Sequence, residues 1–328
     1  MYKTIVYIII LLCYSFICSC SKPESGDKTQ DNTNSNDTSV SKVPSLCHKE
    51  NWEIDTIATG AIYYEYEAFD EITKGYQIVH VMEIDLENPN HQLKIYYAKQ
   101  GDSLSHVMQL NPNAICGING GYGVNTIYLK INNNVLSEVS LNPTHIRFWK
   151  HEAAFCFSGK RKANIFFASK DGLKAIDIYK NSTEENIIAS APMLINNYDL
   201  MGEKFVGADY TMEELDKLDP EDFRRHQGIR HPRTAYALTE DNDLLLIAVN
   251  GRWPGKAEGM NAAELTKFIA HHFNPQYAIN MDGGGSTTLC VKGKGHHETN
   301  VVNYPTDKDR YDHTGQRAVS THLLVIQK

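Results

Sequence analysis

The segment Tyr277-Ala278-Ile279-Asn280-Met281-Asp282-Gly283-Gly284-Gly285-Ser286 runs from a short apolar strand directly into an aspartate and three consecutive glycines. Strand character resumes over Thr287–Val291, so the segment predicts a strand, a turn and a second strand. Three glycines let backbone N–H groups approach a ligand with no side chain between, an arrangement that suits an anion. The alternative is a tight turn that satisfies its own backbone, although a plain hairpin needs only one or two glycines.

Asp282 is placed at the end of the first of these strands. A carboxylate in that position can act as general acid, general base or nucleophile. The hydroxyls of Ser286 and Thr287 add hydrogen-bond donors next to the glycines. We therefore predict that Asp282 is catalytic and that Gly283, Gly284, Gly285, Ser286 and Thr287 bind substrate.

Secondary-structure signals on both sides place this segment in a sheet with a packed helix. A helix is predicted to begin after Asn261, with Glu264 completing a capping box, and to end before Pro275. Upstream, the segments 234–238 and 244–249 form a hairpin whose second strand is continuously apolar and therefore central.

Strand patterns also fill the earlier part of the chain. Ile78–Leu86 alternates apolar and polar residues, and a second strand over Leu93–Tyr97 suggests an antiparallel sheet. Asn132–Asn134 marks a hairpin turn. The final strand, Ala318–Ile326, closes the sheet.

The stretch 198–228 is interpreted as a surface insertion. Thr211 and Glu214 form a capping box for a short charged helix that stops before Pro220. We expect no chemistry there.

The N-terminus indicates export. Residues 1–20 combine Lys3, an apolar run and a small-residue stretch ending at Cys20, which is typical of a bacterial lipoprotein signal with Cys20 as the lipidated residue. The alternative, an ordinary cleaved secretory signal, leaves export intact. Residues 21–45 are a polar, disordered tether, residues 46–110 a mostly β region, and residues 111–328 the domain that carries the motifs. The predicted location is the periplasm or cell surface, with a lipid anchor in the membrane.

Charge and metal-ligand spacing exclude some classes of function. The formal net charge of -8 and pI of about 6.0 provide no basic field for nucleic acid. After the signal, four cysteines remain, and either disulfides or buried thiols explain them. No metal site is predicted, because the cysteines and the histidines 231, 271 and 272 match no metal-ligand pattern. Calcium held by Asp282 and neighbouring carbonyls stays possible.

Further candidate site residues follow other strands. Asn119-Gly120-Gly121 ends an apolar strand as Asp282 does, with a simple turn as the alternative. Arg233, Arg252 and Arg317 can each hold two phosphate oxygens, with a surface charge or salt bridge as the alternative. We predict catalytic roles for Asn119 and Arg233 and substrate binding by Gly120, Gly121, Arg252 and Arg317. Glu264 is already explained by its capping box.

Six motifs in order resemble one known family, the phosphodiester glycosidases. They are Gly117-Ile118-Asn119-Gly120-Gly121-Tyr122, Pro232-Arg233-Thr234-Ala235, Val249-Asn250-Gly251-Arg252, Gly259-Met260, Asn280–Thr287 and Arg317-Ala318-Val319-Ser320. The resemblance extends from about Ala114 to the C-terminus. It implies an α+β fold, a mixed, largely antiparallel sheet with packed helices, and an active-site cleft at Asn119, Arg233, Asp282 and the glycines.

Two positions depart from the family pattern. Asn250 stands where an aspartate usually precedes Gly-Arg, so it cannot serve as a carboxylate acid or base. Tyr122-Gly123 replaces two aromatics, which widens the pocket and leaves the choice of substrate open.

The sequence thus predicts hydrolysis of the sugar–phosphate bond in a sugar-1-phosphodiester, with an N-acetylglucosamine-like sugar implied by the resemblance. Free sugar and a phosphomonoester are the products. One alternative is a non-catalytic glycan-binding lipoprotein that uses tyrosines such as those of Ile62–Tyr66. The other is a metal-dependent phosphodiesterase.

Overall fold

A computed structural model of the chain describes residues 44–123, 125–137, 147–159 and 162–328. These described residues belong to one compact unit. The predicted signal, Cys20 and nearly all of the tether lie outside the described residues. At the end of the tether, the backbone N–H and hydroxyl of Ser45 donate to the Glu83 carboxylate at 3.1 and 3.0 Å, so this point of the chain is attached to the sheet.

Most of the described chain is strand. In chain order the strands are β1 Trp52–Ala58, β2 Ala61–Asp70, β3 Gly75–Asp85, β4 His91–Asp102, β5 Ala114–Asn119, β6 Leu129–Ile131, β7 Asn134–Ser137, β8 Ala153–Ser158, β9 Lys162–Phe167, β10 Asn186–Ser190, β11 Met193–Asn196, β12 Arg233–Leu238, β13 Asp243–Val249, β14 Tyr277–Asn280, β15 Leu289–Val291 and β16 Val319–Gln327. The α-helices are α1 Leu104–Leu110, α2 Gly172–Lys180, α3 Met212–Asp216, α4 Phe223–Gly228 and α5 Ala262–Phe273. Short 3-10 turns span Phe148–His151, Met201–Lys204 and Gly284–Ser286. None of the helices in the described residues is long and apolar enough to span a bilayer.

The strands form three sheets. A seven-stranded sheet has the order β1-β2-β3-β13-β12-β14-β11, a five-stranded sheet β7-β6-β10-β8-β9, and a four-stranded sheet β15-β5-β16-β4. Each pairing between described strands is antiparallel. The predicted α+β fold with largely antiparallel pairing is confirmed.

The mostly β region 46–110 shares its sheets with the later part of the chain. β3 pairs with β13, and β4 pairs with β16 along most of its length. β13 is the central strand of the seven-stranded sheet, as its continuous apolar character predicts.

β3 differs from the half-exposed strand that its alternating pattern suggests, because nearly all of its residues are buried. Met82 and Ile84 face one apolar cluster while Val79 and Val81 face another. The polar residue His80 is buried with partners, since its two ring nitrogens lie 2.7 Å from the Tyr63 hydroxyl and 3.2 Å from Asn250 Nδ2. The sheet is therefore covered on both faces at β3.

Helix α5 covers one face of the seven-stranded sheet. Its capping box at Asn261 and Glu264 is present, and Leu265, Phe268 and Ile269 are buried in the same cluster as residues of β13. Both predicted capping boxes and the hairpin turn between β6 and β7 are confirmed.

The four described cysteines are free thiols. Cys116, Cys156 and Cys290 are buried and Cys47 is exposed. Of the two explanations left open for them, the described part of the chain contains thiols and no disulfide.

Candidate active site

Several strand ends meet at one edge of the fold. Arg233, the first residue of β12, lies opposite Val249, the last of β13, and Asn280, the last of β14, lies opposite Ala235. Antiparallel pairing therefore brings segments that are far apart in sequence to the same edge. The segment after β14 begins with Met281 and Asp282.

A cavity of about 470 Å³ opens at this edge. It is lined by Tyr122, Gly123, Thr126, Arg147, Lys150, Pro220, Glu221, Arg225, His226, His231, Arg233, Arg252, Asp282, Gly283, Gly284, Gly285 and Arg317. Six of these side chains are cationic and two are carboxylates. The cavity is therefore suited to an anionic ligand.

Asp282 is held at the cavity by the backbone around it. Asn119 Nδ2 donates to the Asp282 carbonyl at 2.7 Å, and the Asp282 N–H donates to the Gly120 carbonyl at 3.3 Å. Asn119 Oδ1 in turn accepts from Thr234 Oγ1 at 2.9 Å and from the Thr288 N–H at 3.1 Å. Asn119 thus ties the Asp282 turn to β12 and to the start of the next strand.

The carboxyl of Asp282 is half-buried, and burial raises its pKa above the ordinary value of 3.8. The Ser286 side chain, the cations Lys150 and Arg317 and the Gly283 N–H act in the opposite direction. Asp282 therefore combines a raised pKa with surrounding positive charge, which are properties expected of a catalytic carboxylate.

The glycine turn has fewer free N–H groups than the sequence suggests. The Gly284 N–H donates to the Pro232 carbonyl at 2.8 Å, and the N–H groups of Ser286 and Thr287 donate to Gly283 and Gly284 at 3.2 Å each. Much of the predicted anion-binding backbone is satisfied within the protein. The alternative of a self-satisfied turn is thus partly correct.

The glycines instead make room for two arginines. A Cβ at Gly284, where φ is +62°, would lie 3.0 Å from Nη2 of Arg252. A Cβ at Gly285 would lie 2.6 Å from Nη2 of Arg317, closer than real contacts allow. The absence of side chains at these two positions lets both guanidinium groups pack directly against the turn next to Asp282.

Arg233 is a buried cation without a carboxylate partner in the described residues. Its side chain is 1% exposed and donates to the carbonyls of Met260, Ile229 and His226 and to the Gln227 amide oxygen, at 2.7 to 3.1 Å. Burial lowers its pKa to about 10. Since these acceptors are all neutral, the positive charge at the cavity wall is left for a ligand.

Arg225 and Arg252 extend this positive region. Arg252 reaches only Thr306 Oγ1, at 3.5 Å, and forms no ion pair with a described carboxylate. Arg225 has a distant carboxylate partner at 3.9 Å, Asp216, and its buried Nε has no partner in the described residues. Burial and the charges of the three nearby arginines lower the pKa of His231 to about 3, so the imidazole is neutral.

Arg317 combines the two alternatives predicted for it, a salt bridge and a position where it can contact a ligand. It pairs with Asp307, its Nε lying 2.8 Å from Oδ1, and it also lines the cavity. Part of its charge is therefore already balanced.

The opposite wall is built by Lys150 and by the segment interpreted as an insertion. Lys150 Nζ donates to Glu221 at 2.7 Å and lies 4.3 Å from the centre of the Tyr122 ring. Arg147 Nε lies 3.0 Å from the same carboxylate. Burial alone would raise the pKa of Glu221, but these two cations hold it below its usual value.

Comparison of the sequence with family models identifies one family. The family model described as phosphodiester glycosidase matches residues 112–326. The chain belongs to the phosphodiester glycosidase family. No curated protein matches it by sequence.

Two solved structures show that this chain shares its fold with distant proteins. The catalytic domain of zebrafish N-acetylglucosamine-1-phosphodiester alpha-N-acetylglucosaminidase, auto-inhibited by its pro-peptide, is 16% identical, with coverage of 84% of this chain and 88% of that one and a TM-score of 0.55. A hypothetical protein from Synechocystis is 13% identical, with coverage of 84% and 64% and a TM-score of 0.53.

Seven of the predicted site residues line the cavity. They are Arg233, Arg252, Asp282, Gly283, Gly284, Gly285 and Arg317. Residues from the ends of different strands and residues of the glycine turn thus come together in one cavity.

The other predicted site residues lie behind the cavity wall. Asn119 is 1% exposed and both ends of its amide bond to protein, so it positions Asp282. Gly120 and Gly121 serve packing, because a Cβ on either would come within 2.5 Å of a neighbouring side chain. Ser286 and Thr287 are buried, and Thr287 Oγ1 accepts from Thr234 at 3.3 Å. These five are supporting residues in the described structure.

The sequence did not predict that Lys150, Glu221, Arg225 and His226 line the cavity. The segment 198–228, in which no chemistry is expected, supplies Pro220, Glu221, Arg225 and His226 to the cavity lining. The charged residues around Pro220 were the available signal, but a charged segment is usually a solvated surface.

Asn250 and Glu264 have structural roles. Asn250 is buried, accepts from the Tyr304 N–H at 2.8 Å and does not line the cavity. Glu264 caps α5 and accepts from Arg230 Nη2 at 2.7 Å. The favoured interpretation of Glu264 as a cap is confirmed.

Within the described residues, no group of three or more His, Cys, Asp or Glu side chains is arranged to hold a metal ion. Calcium at Asp282 stays a prediction. The charges of Lys150 and Arg317 near that carboxylate disfavour a divalent cation there.

Proposed function

We propose that this phosphodiester glycosidase hydrolyses the bond between the anomeric carbon of an N-acetylglucosamine-like sugar and the phosphate of a sugar-1-phosphodiester. The observation that carries the proposal is the placement of Asp282 in a cavity with Arg233 and Arg252, neither of which forms an ion pair with a described carboxylate. The products are free sugar and a phosphomonoester.

The charge of the cavity matches the change in charge during this reaction. A phosphodiester carries one negative charge, and the phosphomonoester that leaves carries up to two near neutral pH. Arg225, Arg233 and Arg252 are available to stabilise the developing charge, because their carboxylate contacts are long or lacking in the described residues. Groups that are already in place where charge develops lower the barrier most effectively.

Asp282 acts on the sugar side of the bond. The C1–O bond breaks and the phosphate oxygen keeps the electron pair, while water supplies the new hydroxyl on C1. In one route Asp282 removes a proton from the attacking water, and in the other it attacks C1 itself and water then releases the sugar. In both routes Asp282 starts and ends ionised. One hydrogen of the water stays on the new C1 hydroxyl, and the other leaves as a proton to the phosphomonoester or to solvent.

We also propose that the protein is exported and is anchored to the membrane by a lipid attached to Cys20. The features that support this are the N-terminal signal and the polar segment that follows it. Labelling cells with a palmitate analogue and substituting Cys20→Ser tests the anchor, because the variant is expected to lose both the label and membrane association.

The decisive experiment incubates the purified protein with a panel of sugar-1-phosphodiesters and identifies the products by mass spectrometry. Free sugar plus a phosphomonoester supports the proposal, and oxygen-18 water places the label on the sugar. Cleavage on the other side of phosphorus, abolished by a chelator, supports a metal-dependent phosphodiesterase instead. Binding without turnover across the panel supports a glycan-binding protein.

Anomer-resolved NMR of the first product separates the two routes for Asp282. Retention of configuration indicates a covalent intermediate on Asp282, and inversion indicates that Asp282 activates water.

A further inference from the structure

Arg225 is the third available arginine of the cavity, one more than the charge of the phosphate requires. Arg233 and Arg252 have no close carboxylate among the described residues. Together they match the phosphomonoester product, which carries up to two negative charges, and the phosphodiester substrate carries only one. Arg225 therefore adds a positive charge that the phosphate does not offset before or after the reaction.

The preceding residue in helix α4, Arg224, has the carboxylate partner that Arg225 lacks. Arg224 Nε and Nη2 donate to the two carboxylate oxygens of Asp222, at 2.9 and 2.6 Å. The nearest carboxylate to Arg225 is that of Asp216, at 3.9 Å, which is too far for a hydrogen bond. The buried Nε of Arg225 has no partner in the described residues. A buried donor without an acceptor is costly, so a ligand group that accepts from Arg225 is stabilising.

The carboxylates that line the cavity do not fill this role. Glu221 lies four residues before Arg225 in sequence, but its carboxylate accepts from Lys150 at 2.7 Å and lies 3.0 Å from Arg147 Nε. The other carboxylate in the lining is Asp282, the proposed reacting group. A ligand is thus the best source of the acceptor that Arg225 lacks in the described structure.

Helix α4 is attached to the reaction site, which gives Arg225 a defined position beside it. The His226 carbonyl and the Gln227 amide oxygen accept from Arg233, at 3.1 and 2.9 Å. Gln227 Nε2 also donates to the Tyr122 hydroxyl at 3.1 Å. The two residues that follow Arg225 therefore fix α4 to Arg233, and Arg225 reaches into the same cavity.

Arg225 lies on the phosphate side of the cavity and not on the side of Asp282. Burial lowers the pKa of His231 to about 3, and the charges of Arg233, Arg252 and Arg225 act in the same direction. The cations that act most strongly on the pKa of Asp282 are two other residues. Since Asp282 acts on the sugar, the part of the substrate nearest Arg225 is the alcohol on the far side of the phosphate.

The shape and charge of the guanidinium group of Arg225 favour an anionic partner. A planar guanidinium binds two oxygens of a carboxylate or a phosphate at once, through parallel N–H groups. A neutral hydroxyl offers one weaker acceptor and leaves the positive charge without a partner. An alcohol that carries a carboxylate or a phosphate is therefore the best match.

We infer that Arg225 binds a second anionic group of the substrate, carried by the alcohol that is esterified to the sugar-1-phosphate. This inference rests on the proposed function and adds a substrate class to it: sugar-1-phosphodiesters whose alcohol is negatively charged. Arg225 belongs to the segment 198–228, so that segment selects the substrate as well as lining the reaction site.

The test compares three esters of N-acetylglucosamine-1-phosphate that differ only in the alcohol. Ethylene glycol gives a neutral alcohol, glycolic acid a carboxylate and 2-hydroxyethyl phosphate a phosphate group. The ratio of kcat/KM for each anionic ester to that for the ethylene glycol ester measures binding of the second anion. We expect at least one ratio well above one for the unmodified protein, and the larger ratio identifies the preferred anion.

Arg225→Gln is expected to lower this ratio about tenfold to a hundredfold, which is what the loss of a hydrogen-bonded charged contact costs. It should change kcat/KM for the ethylene glycol ester much less. Arg225→Lys keeps the charge but not the planar group, so an intermediate ratio is expected. Because every variant is tested on the same esters, differences in their intrinsic reactivity cancel.

Arg224→Gln is the matched control, because Arg224 is the neighbouring arginine of α4, pairs with Asp222 and lies outside the cavity lining. The side chains of Arg224 and Arg225 are 33% and 29% exposed. The control is expected to keep the ratio of the unmodified protein. Ratios near one in the unmodified protein, or an equal loss of kcat/KM on all three esters in Arg225→Gln, overturn the inference while the proposed function stands.

If none of the three esters is hydrolysed, the proposed function fails and affinity decides the anion site. Titration calorimetry then gives the Kd of each ester. Tighter binding of an anionic ester than of the ethylene glycol ester, lost in Arg225→Gln and kept in Arg224→Gln, supports the site. Equal affinities, a preference that Arg225→Gln leaves unchanged, or no binding of any ester overturn it.

Discussion

The guanidinium group of Arg252 occupies the space into which a side chain on Gly284 would project, with 3.0 Å between Nη2 and the position of an added Cβ. Gly284 has a φ of +62°, a conformation that residues with a Cβ rarely adopt. One glycine thus allows both the sharp turn after Asp282 and the close approach of an arginine to it.

Gly284→Ala is expected to impair both stability and phosphate binding. The left-handed backbone costs about 1–2 kcal/mol for a residue with a Cβ, and the new methyl group displaces Arg252. Gly255→Ala is the matched control, since Gly255 has a φ of +72° with no atom within 4 Å of an added Cβ. Thermal melting should fall in both variants, while KM should rise in Gly284→Ala alone. An equal rise of KM in both would contradict the placement of Arg252.

Asp282→Asn is expected to lower kcat by about 10²- to 10⁴-fold, the usual contribution of a positioned acid or base. The substitution keeps the shape of the side chain, so melting temperature and KM should change little. Release of free sugar from a sugar-1-phosphodiester measures the effect. Full activity in this variant would show that the reaction does not depend on Asp282.

Inorganic phosphate is expected to inhibit competitively, because it resembles the charged part of the product. Arg252→Gln should weaken this inhibition about tenfold to a hundredfold, the effect of losing hydrogen bonds to a charged group. Arg310→Gln serves as the control, since Arg310 is exposed, pairs with Asp312 and lies outside the cavity. Inhibition constants measured at fixed ionic strength give the comparison. An Arg252→Gln enzyme with an unchanged inhibition constant would place the phosphate elsewhere.

Glu152 is expected to make folding stability fall as pH rises. Burial raises the pKa of Glu152 from 4.5 to about 7 in the folded protein. Below pH 4.5 the group is protonated in both the folded and unfolded chain and has no effect. Between pH 4.5 and 7 the unfolded chain has released the proton while the folded chain keeps it, so stability falls over this range and the loss is complete above pH 7. Glu152→Gln should therefore raise stability by about 1–3 kcal/mol at pH 8 and leave it unchanged at pH 4.

Denaturant melts at the two pH values measure this effect. Glu50→Gln, at an exposed position, should show no such difference between pH 4 and pH 8. A Glu152→Gln protein with the same pH profile as the unmodified protein would mean that Glu152 titrates normally in the fold.

Local patterns in the sequence were enough to predict much of the fold. The capping residues Asn261 and Glu264 and the stop before Pro275 defined α5, because helix ends depend on hydrogen bonds between residues three or four apart. The continuous apolar run of β13 predicted its central place in the sheet. Asp282 and the family could also be predicted, since they depend on short motifs in a fixed order.

The sequence did not reveal that both faces of β3 are covered or that the strands divide into three sheets. These features depend on which strands pair, and β3 pairs with β13 from the far half of the chain. An alternating pattern cannot show that polar residues such as His80 have buried partners.

The sequence by itself was enough to identify the family. It also predicted an export signal and a catalytic role for Asp282. Only the tertiary structure decided which residues line the cavity. Asn119 lies behind the cavity wall, where it bonds to the Asp282 carbonyl, and Lys150 bonds to Glu221, which is 71 residues away in sequence. The tertiary structure also showed that the glycines after Asp282 accommodate arginine side chains. Such contacts join residues that no local pattern relates, because burial and charge balance depend on the packing of the whole chain.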